Sequence, residues 1–416
     1  MAVGVIGIGY VGLPLAVAFA AEGRDVVAVD IDRRKVDSLR GGRSYINDVS
    51  DEVLAGVLPR IDATTHFGDL VRCDEVLICV PTPLTPNREP DLGPLVEATR
   101  ALAEVLQADQ LVVLESTTYP GTTRDRLAPI LAESGLVAGE DFNLAFSPER
   151  VDPGRTDFTM RTTPKVVGGL TEACLDRAAA LYGEICDTIV PVSTLEAAEL
   201  TKLLENIFRS VNIALVNELA MLCDRMQIDV WEVIEAASTK PYGFMRFEPG
   251  PGMGGHCLPV DPFYLTWKAH EFDFATEFIE LAGKVNAQMP MHCTARIERA
   301  LNDVRKPVNA TKILLLGMSY KAGVGDVRES PAITIAAQLQ ELRADLRYHD
   351  PYVPEVPELG LRSVELAGAV EQAELVVILT AHPDIDYAAV AEAAPLVLDF
   401  RGVLRHAAAR SAAPPG

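Results

Sequence analysis

The sequence predicts an α/β protein: two Rossmann-like, doubly wound parallel-sheet domains joined by a central helical domain with a long helix. Three observations carry this. Short β-rich apolar runs alternate with helix-patterned stretches at both ends of the chain, the pattern of a parallel sheet covered by helices. Between them, from residue 193 to about 226, glycine and proline are nearly absent. The 416 residues exceed what one core organises, so two or three domains are expected. The boundaries read from the pattern are 1–192, 193–305 and 306–416.

Residues 3–8, 25–30, 75–80, 111–115 and 143–146 read as buried strands. A strand over 165–168, a helix over 171–183 and a strand over 188–192 complete the first domain. In the centre, Leu203, Ile207, Val211, Ala214 and Leu215 recur at helical spacing, with Ser193 or Thr194 as N-cap. This long helix is a natural surface for a homodimer. Helices follow over 230–237 and 262–305, the latter broken near Asp273. Strands over 312–317, 345–349, 375–379 and 396–400 alternate with helices in the last domain. The Ala-rich tail after Arg405 is expected to fray.

The chain carries 37 basic and 59 acidic residues, a net charge of −22. That balance argues against nucleic-acid or anionic-membrane partners, yet leaves room for an anionic small molecule held by local dipoles and a few cations. No apolar run approaches the ~20 residues of a membrane span, and the apolar start lacks a basic n-region. Seven scattered cysteines, with no CxxC pair, suggest free thiols and a cytoplasmic location.

Gly7-Ile8-Gly9-Tyr10-Val11-Gly12 follows the first strand and opens a helix. The first glycine makes the tight turn, the second lets backbone approach a pyrophosphate, and the third permits close helix–strand packing. The helix N-terminus then offers N–H groups and a positive dipole. Asp30 ends the second strand, where it would accept hydrogen bonds from ribose hydroxyls. NAD is therefore the expected cofactor. Asp30 and Asp32 would repel a 2′-phosphate; Arg33 and Arg34 keep NADP as the minority alternative. Thr82 and Glu115 follow later strands, at the sheet edge where such folds bind ligands; turn chemistry is the plainer reading of Pro81–Pro83.

The run Gly250-Pro251-Gly252-Met253-Gly254-Gly255-His256-Cys257-Leu258-Pro259-Val260-Asp261-Pro262 can be neither helix nor strand. A rigid loop presenting a thiol suits covalent catalysis, against the alternative of a small buried hydrophobe in a turn. His256-Cys257 and His292-Cys293 lack zinc-site spacing, so no metal is expected.

Taken with the motifs over 7–16, 115–122, 147–154, 199–206, 254–261 and 321–331, the chain resembles the nucleotide-sugar 6-dehydrogenases, the UDP-glucose/GDP-mannose dehydrogenase family. The resemblance implies two successive oxidations of a sugar C6 hydroxymethyl by NAD, through a cysteine thiohemiacetal and thioester. By motif it implies Cys257 as nucleophile and Asp261 beside the thiol and water. Lys202 and Asn206, one helical turn apart, would stabilise oxyanions; alone they would read as a solvated helix face. Glu149 would act with water in proton transfer, and Thr117 would position that water. Arg150, Arg246, Gly254 and Lys321 would meet the substrate, and Arg328 the cofactor and domain seam; a plain surface charge is the other reading of Lys321 and Arg328.

Several stretches, among them 115–122, 147–154 and 241–245, resemble the UDP-N-acetylglucosamine 6-dehydrogenase branch. Pro153 stands where UDP-glucose enzymes usually carry an acid, and Arg246 where an aromatic is common. UDP-N-acetylglucosamine is thus the first expectation, with UDP-glucose, dTDP-glucose and UDP-N-acetylmannosamine as alternatives. A single-oxidation hydroxyacid dehydrogenase would have no use for Cys257, and a non-catalytic nucleotide-sugar binder no use for the whole set.

Overall fold

Alternating apolar residues build the first sheet and give each face its own core. The computed structural model describes residues 2–46, 48–85, 87–151, 158–255 and 260–405. It divides into two units, Met1–Glu205 with Phe263–Ala275, and Asn206–Pro262 with Thr276–Gly416.

In the first unit the strands are β1 (Ala2–Ile6), β2 (Asp25–Val29), β3 (Ile61–Thr64), β4 (Cys73–Ile78), β5 (Leu111–Leu114), β6 (Asn143–Phe146), β7 (Lys165–Gly169) and β8 (Ile189–Val192). They lie in the order β3-β2-β1-β4-β5-β6-β7-β8. Helices α1 (Gly12–Ala21), α2 (Arg33–Arg40), α3 (Asp51–Val57), α4 (Gly93–Ala103), α5 (Ala128–Leu131) and α6 (Glu172–Tyr182) cover the sheet. Val3, Val5, Ala28 and Val113 pack with Leu13 and Phe19 of α1, Leu39 of α2 and Leu181 of α6 on one face. Ile6, Val29, Ile78 and Leu114 pack with Leu95 and Leu102 of α4 and Leu131 of α5 on the other. The sheet is doubly wound, and each fully buried aliphatic side chain contributes about 1.5–3 kcal/mol.

Two features depart from the sequence pattern. Strand β3, with exposed Asp62 between buried Ile61 and Ala63, is too short and polar to have stood out. Strand β7 runs antiparallel to β6, not parallel. A parallel return needs a crossover, usually helical, and residues 147–164 hold no helix among those described. Strand β7 therefore begins at the edge of the sheet where β6 ends.

Helix α7 (Leu195–Met226) contributes residues to both units. Thr194 Oγ1 accepts from the Ala197 N–H at 3.0 Å, the expected cap. Leu203, Ile207 and Ala214 are buried, whereas Leu215, expected on the same stripe, is 56% exposed. Helices α8 (Val230–Ser238), α9 (Asp261–Ala269) and α10 (Glu277–Asp303) follow. The break near Asp273 is real: this residue takes φ 51°, ending a single 3-10 turn.

The last region holds strands β9 (Lys312–Leu316), β10 (Asp345–His349), the short antiparallel pair β11 (Glu355–Val356) and β12 (Leu361–Arg362), then β13 (Leu375–Ile378) and β14 (Val397–Asp399). The main sheet is parallel in the order β10-β9-β13-β14, with α11 (Pro331–Glu341) on one face and α12 (Leu366–Gln372) and α13 (Tyr387–Ala393) on the other. Cys293, Ile297 and Leu301 of α10 join the α11 side of this core. The tail from residue 406 lies outside the described residues.

Candidate active site

In the first unit the strand order reverses between β1 and β4, the crevice where open α/β sheets take dinucleotides. The glycine loop sits there. Gly7 has φ 88°, and a Cβ on it would stand 2.7 Å from the Cys79 carbonyl oxygen; one on Gly12 would stand 1.9 Å from the Gly7 carbonyl oxygen. Packing alone thus demands both glycines. A Cβ on Gly9 would meet nothing within 4 Å, so Gly9 is left to what approaches from outside. No side chain caps the first turn of α1, whose N–H groups and dipole suit a pyrophosphate. Val11 is half-buried at the α1 cap position, and Tyr10 beside it is 46% exposed. The cradle fits a dinucleotide.

Asp30 is buried and already shapes this loop. Its Oδ2 accepts from the Ile8 N–H at 3.1 Å and from Lys35 Nζ at 2.9 Å, and its Oδ1 accepts from the Asp32 N–H at 2.8 Å. Arg34 donates to Asp32 at 3.1 and 2.9 Å, so one of the two arginines that could have welcomed a 2′-phosphate is engaged, and Arg33 is exposed.

At the neighbouring strand ends, Thr82 Oγ1 donates to the Thr117 carbonyl at 2.7 Å. The structure thus brings these two predicted residues together. Glu115 is fully buried; its carboxylate takes Lys165 Nζ at 2.8 Å and the Tyr182 hydroxyl. Burial raises the Glu115 carboxyl above its ordinary range despite Lys165. Glu149 accepts from the Arg150 and Val151 N–H groups at 2.9 and 2.6 Å and lies 3.6 Å from Lys165. Arg150 donates to the Pro164 carbonyl at 2.6 Å and pairs with Glu205 at 2.7 Å. On α7, half-buried Lys202 makes no hydrogen bond or ion pair among the described residues.

In the second unit, the buried Asn206 side chain donates to the buried carboxylate of Asp261, the first residue of α9. Cys257 lies outside the described residues. The loop leading to it is described as far as Gly255, and its glycines are demanded by contact. A Cβ on Gly254 would stand 2.7 Å from Tyr320 Cβ and 2.8 Å from the Glu329 carbonyl oxygen; Gly255, at φ 92°, has the Tyr320 ring 2.9 Å from the same position. The Gly255 N–H donates to the Arg328 carbonyl at 3.2 Å. The Arg328 guanidinium grips Asp326 at 2.7–3.2 Å. Lys321 is half-buried, and its carbonyl accepts from Ser319 Oγ at 2.8 Å. Exposed Arg246 pairs with Glu248 at 3.0 Å.

Residues 1–186, 196–288 and 314–406 match, respectively, the NAD binding domain, the central domain and the UDP binding domain of one family. The chain belongs to the UDP-glucose/GDP-mannose dehydrogenase family. It is 37% identical over 353 residues to a UDP-N-acetyl-D-glucosamine 6-dehydrogenase of Pseudomonas aeruginosa, covering 84% of this chain and 83% of that one. It is 37% identical over 388 residues to a UDP-N-acetyl-D-mannosamine dehydrogenase of Pyrococcus horikoshii, covering 92% and 90%. The solved structure of a UDP-D-ManNAc dehydrogenase from Pyrococcus horikoshii superposes with a TM-score of 0.88 at 34% identity, covering 97% and 96%. The chain is an NAD-dependent nucleotide-sugar 6-dehydrogenase. No helix among the described residues is long and apolar enough to cross a membrane.

The dehydrogenase's two nucleotide domains share a device and differ in how it ends. Gly317 after β9 has φ 86°, close to Gly7, and Asp350 after β10 accepts from the Met318 and Ser319 N–H groups at 2.7 and 3.0 Å, as Asp30 does from Ile8. But Asp350 is sealed by buried His382, whose Nε2 lies 3.1 Å from it, and Ser319 and Ala322 replace the second and third glycines. The UDP binding domain therefore lacks the close-approach loop of a dinucleotide site, and its carboxylate is closed off by His382.

Several residues that shape the site gave no separate signal in the sequence. Lys165 read only as the start of a strand. Tyr264, whose hydroxyl donates to the Thr82 and Pro83 carbonyls at 2.9 and 3.2 Å, sits in an ordinary helical pattern. Asn217 and Asn286 bond each other at 2.9 Å inside the helical core, and Asn217 accepts from the Gly250 N–H at 3.0 Å. A polar residue at an apolar helical position was the available clue.

Proposed function

We propose that this dehydrogenase oxidises the C6 hydroxymethyl of UDP-N-acetylglucosamine to the carboxylate, a four-electron oxidation made of two two-electron steps held together by Cys257. NAD, when bound, would supply the hydride acceptor for each of two rounds. In the first, the alcohol loses a hydride from C6 and its hydroxyl proton to give an aldehyde. The Cys257 sulfur then adds to the carbonyl carbon, and Lys202 with the Asn206 amide stabilises the resulting oxyanion. Loss of a second hydride gives a thioester. Water, ordered through Thr117 and Glu149 and by Asp261, cleaves the C–S bond, releasing the uronate and returning the thiol.

The observation that carries this reading is the Asn206–Asp261 pair: two buried polar groups joined at the exit of the segment that holds Cys257. A buried carboxylate costs several kcal/mol unless hydrogen bonds such as the one from Asn206 offset it. Relatives named for N-acetylated hexosamine nucleotides support that substrate class, and the one named for UDP-N-acetyl-D-glucosamine supports this member of it. Arg150, Arg246, Gly254 and Lys321 are proposed to meet it. Gly7, Gly9, Tyr10, Val11, Gly12, Asp30, Thr82, Glu115 and Arg328 are proposed to serve the cofactor, Glu115 through the Lys165 pair rather than by direct contact.

The working form is proposed to be a homodimer. Exposed Leu204, Phe208, Leu215, Leu219, Leu222 and Met226 fall within about 60° of one another around α7, a stripe that a second copy of the same helix would cover. The decisive experiment counts NADH per sugar with UDP-N-acetylglucosamine, UDP-N-acetylmannosamine, UDP-glucose and dTDP-glucose. Two NADH per uronate, fastest with the first, is expected, together with no uronate from Cys257→Ser. One NADH with free aldehyde overturns the mechanism, and a faster second sugar overturns the substrate.

A further inference from the structure

Glu199 lies three residues before Lys202 on α7 and is fully buried. One loop supplies all three of its hydrogen bonds: the Gly121 N–H at 2.6 Å, the Thr123 N–H at 2.9 Å and Thr123 Oγ1 at 2.7 Å. That loop follows Thr117 directly. Three donors converging on one acidic group match an ionised carboxylate, which only accepts. A protonated one could place its O–H only against Thr123 Oγ1, which would then have to turn from donor to acceptor.

We propose that Glu199 is a positioning residue for the oxidation: its carboxylate locks residues 117–123 to the turn of α7 that carries Lys202. The proposal rests on Thr117 and Lys202 acting on the substrate as inferred above. Each is set by a backbone that Glu199 ties to the other, so loosening the tie lowers turnover without removing either group.

The charges around Glu199 make the lock sensitive to pH. Glu196, one turn earlier on α7, pairs with Arg124 at 2.6 Å. Asp125 Oδ2 and Lys268 Nζ lie 2.7 and 3.9 Å from where a Cβ on Gly121 would stand, and no ion pair to Glu199 itself occurs among the described residues. Burial pushes the Glu199 carboxyl up to about 7, against the bonds from Thr123 and Gly121 that pull it down. As pH rises through neutrality the group gains its charge, its three bonds become charge-assisted, and the loop tightens.

The test measures kcat against pH at saturating NAD and nucleotide sugar for the wild-type enzyme, Glu199→Gln and Thr123→Val. The wild-type enzyme is expected to show an acid limb near neutrality. Glu199→Gln places an amide NH₂ or a single oxygen against the same three donors and cannot ionise; it should lower the plateau by roughly tenfold and lose the limb. Thr123→Val removes one donor to the anion and should move the limb up by about half a pH unit. A Glu199→Gln profile of wild-type shape overturns the proposal. Should that variant fail to fold, an unmoved limb in Thr123→Val overturns it instead. Full turnover by Thr117→Ala and Lys202→Met would defeat the catalytic reading, whereas inactivity of both beside a wild-type limb in Glu199→Gln would defeat only this inference.

Discussion

The hydroxyl of Tyr264 on α9 donates to the backbone carbonyl of Thr82 at 2.9 Å, and Thr82 passes the connection on through Oγ1 to the Thr117 carbonyl at 2.7 Å. Tyr264 is 1% exposed, and its ring lies beside Tyr119, with centroids 6.3 Å apart. The helix that begins at Asp261 thus fixes the strand ends bordering the cofactor crevice. Tyr264→Phe keeps the ring and deletes the bonds, taking this donor from the half-buried Thr82 carbonyl while the Pro83 carbonyl keeps the Asp91 N–H. It should cost about 1–2 kcal/mol of stability and weaken NADH binding several-fold by fluorescence titration. Unchanged NADH affinity in a destabilised protein would confine Tyr264 to packing.

The glycine loop separates folding from binding. Gly12→Ala puts a methyl 1.9 Å from the Gly7 carbonyl oxygen, so α1 must shift. It should lower the melting temperature and abolish NADH binding, while UDP binding measured by calorimetry persists. Gly9→Ala meets nothing within 4 Å. It should leave melting unchanged and raise KM for NAD by roughly tenfold or more. Equal cofactor affinity in Gly9→Ala would mean that the pyrophosphate does not approach there.

Asp350 gives the second unit a defined acid sensitivity. Burial would raise its carboxyl, yet hydrogen bonds from His382 and from the Ser319, Tyr352 and Met318 N–H groups hold it below the usual carboxylate range. A folded value below the unfolded one contributes stability that is present above the unfolded value, near 3.9, and is lost as pH falls through the folded one. The chain has two tryptophans: Trp231 on α8 in the second unit and Trp267 on α9 in the first. With Trp267→Phe, the remaining fluorescence should report acid unfolding of the second unit. Asp350→Asn should flatten that dependence below about pH 4; an identical acid transition would assign it to other groups.

How much was legible follows from the range of each signal. The long apolar strands, the glycine loop and α7 with its cap were readable because hydrophobic period and turn chemistry are local. The return of β7 antiparallel to β6 was not, since direction depends on what connects the strands, and residues 147–164 carry no periodicity to show it. In the sequence, the roles proposed for Lys202, Asn206 and Asp261 rest on motif alone. The Asn206–Asp261 bond spans 55 positions, and Glu199 reaches a loop 76 and 78 positions earlier. Glycines 252, 254 and 255 read as chemistry, whereas Tyr320 and the 329–331 backbone and proline contacts explain them by packing as well.

Lys165 illustrates what such distant pairing leaves hidden. It is 4% exposed and holds Glu115 at 2.8 Å, the Pro148 carbonyl at 3.2 Å and Glu149 at 3.6 Å, while its ammonium stands 5.0 Å from the centre of the Tyr182 ring. Removing one partner of a buried pair strands the other charge, at a cost of about 3–5 kcal/mol. Lys165→Met should therefore destabilise the first unit by that order in urea unfolding. Glu115→Gln in the same chain should return more than half of the loss, because an amide can still accept from Tyr182 without a buried charge. The sign of the coupling separates two ideas of the network. A double variant no more stable than Lys165→Met would show that Glu149, not Glu115, is the charge that needs Lys165.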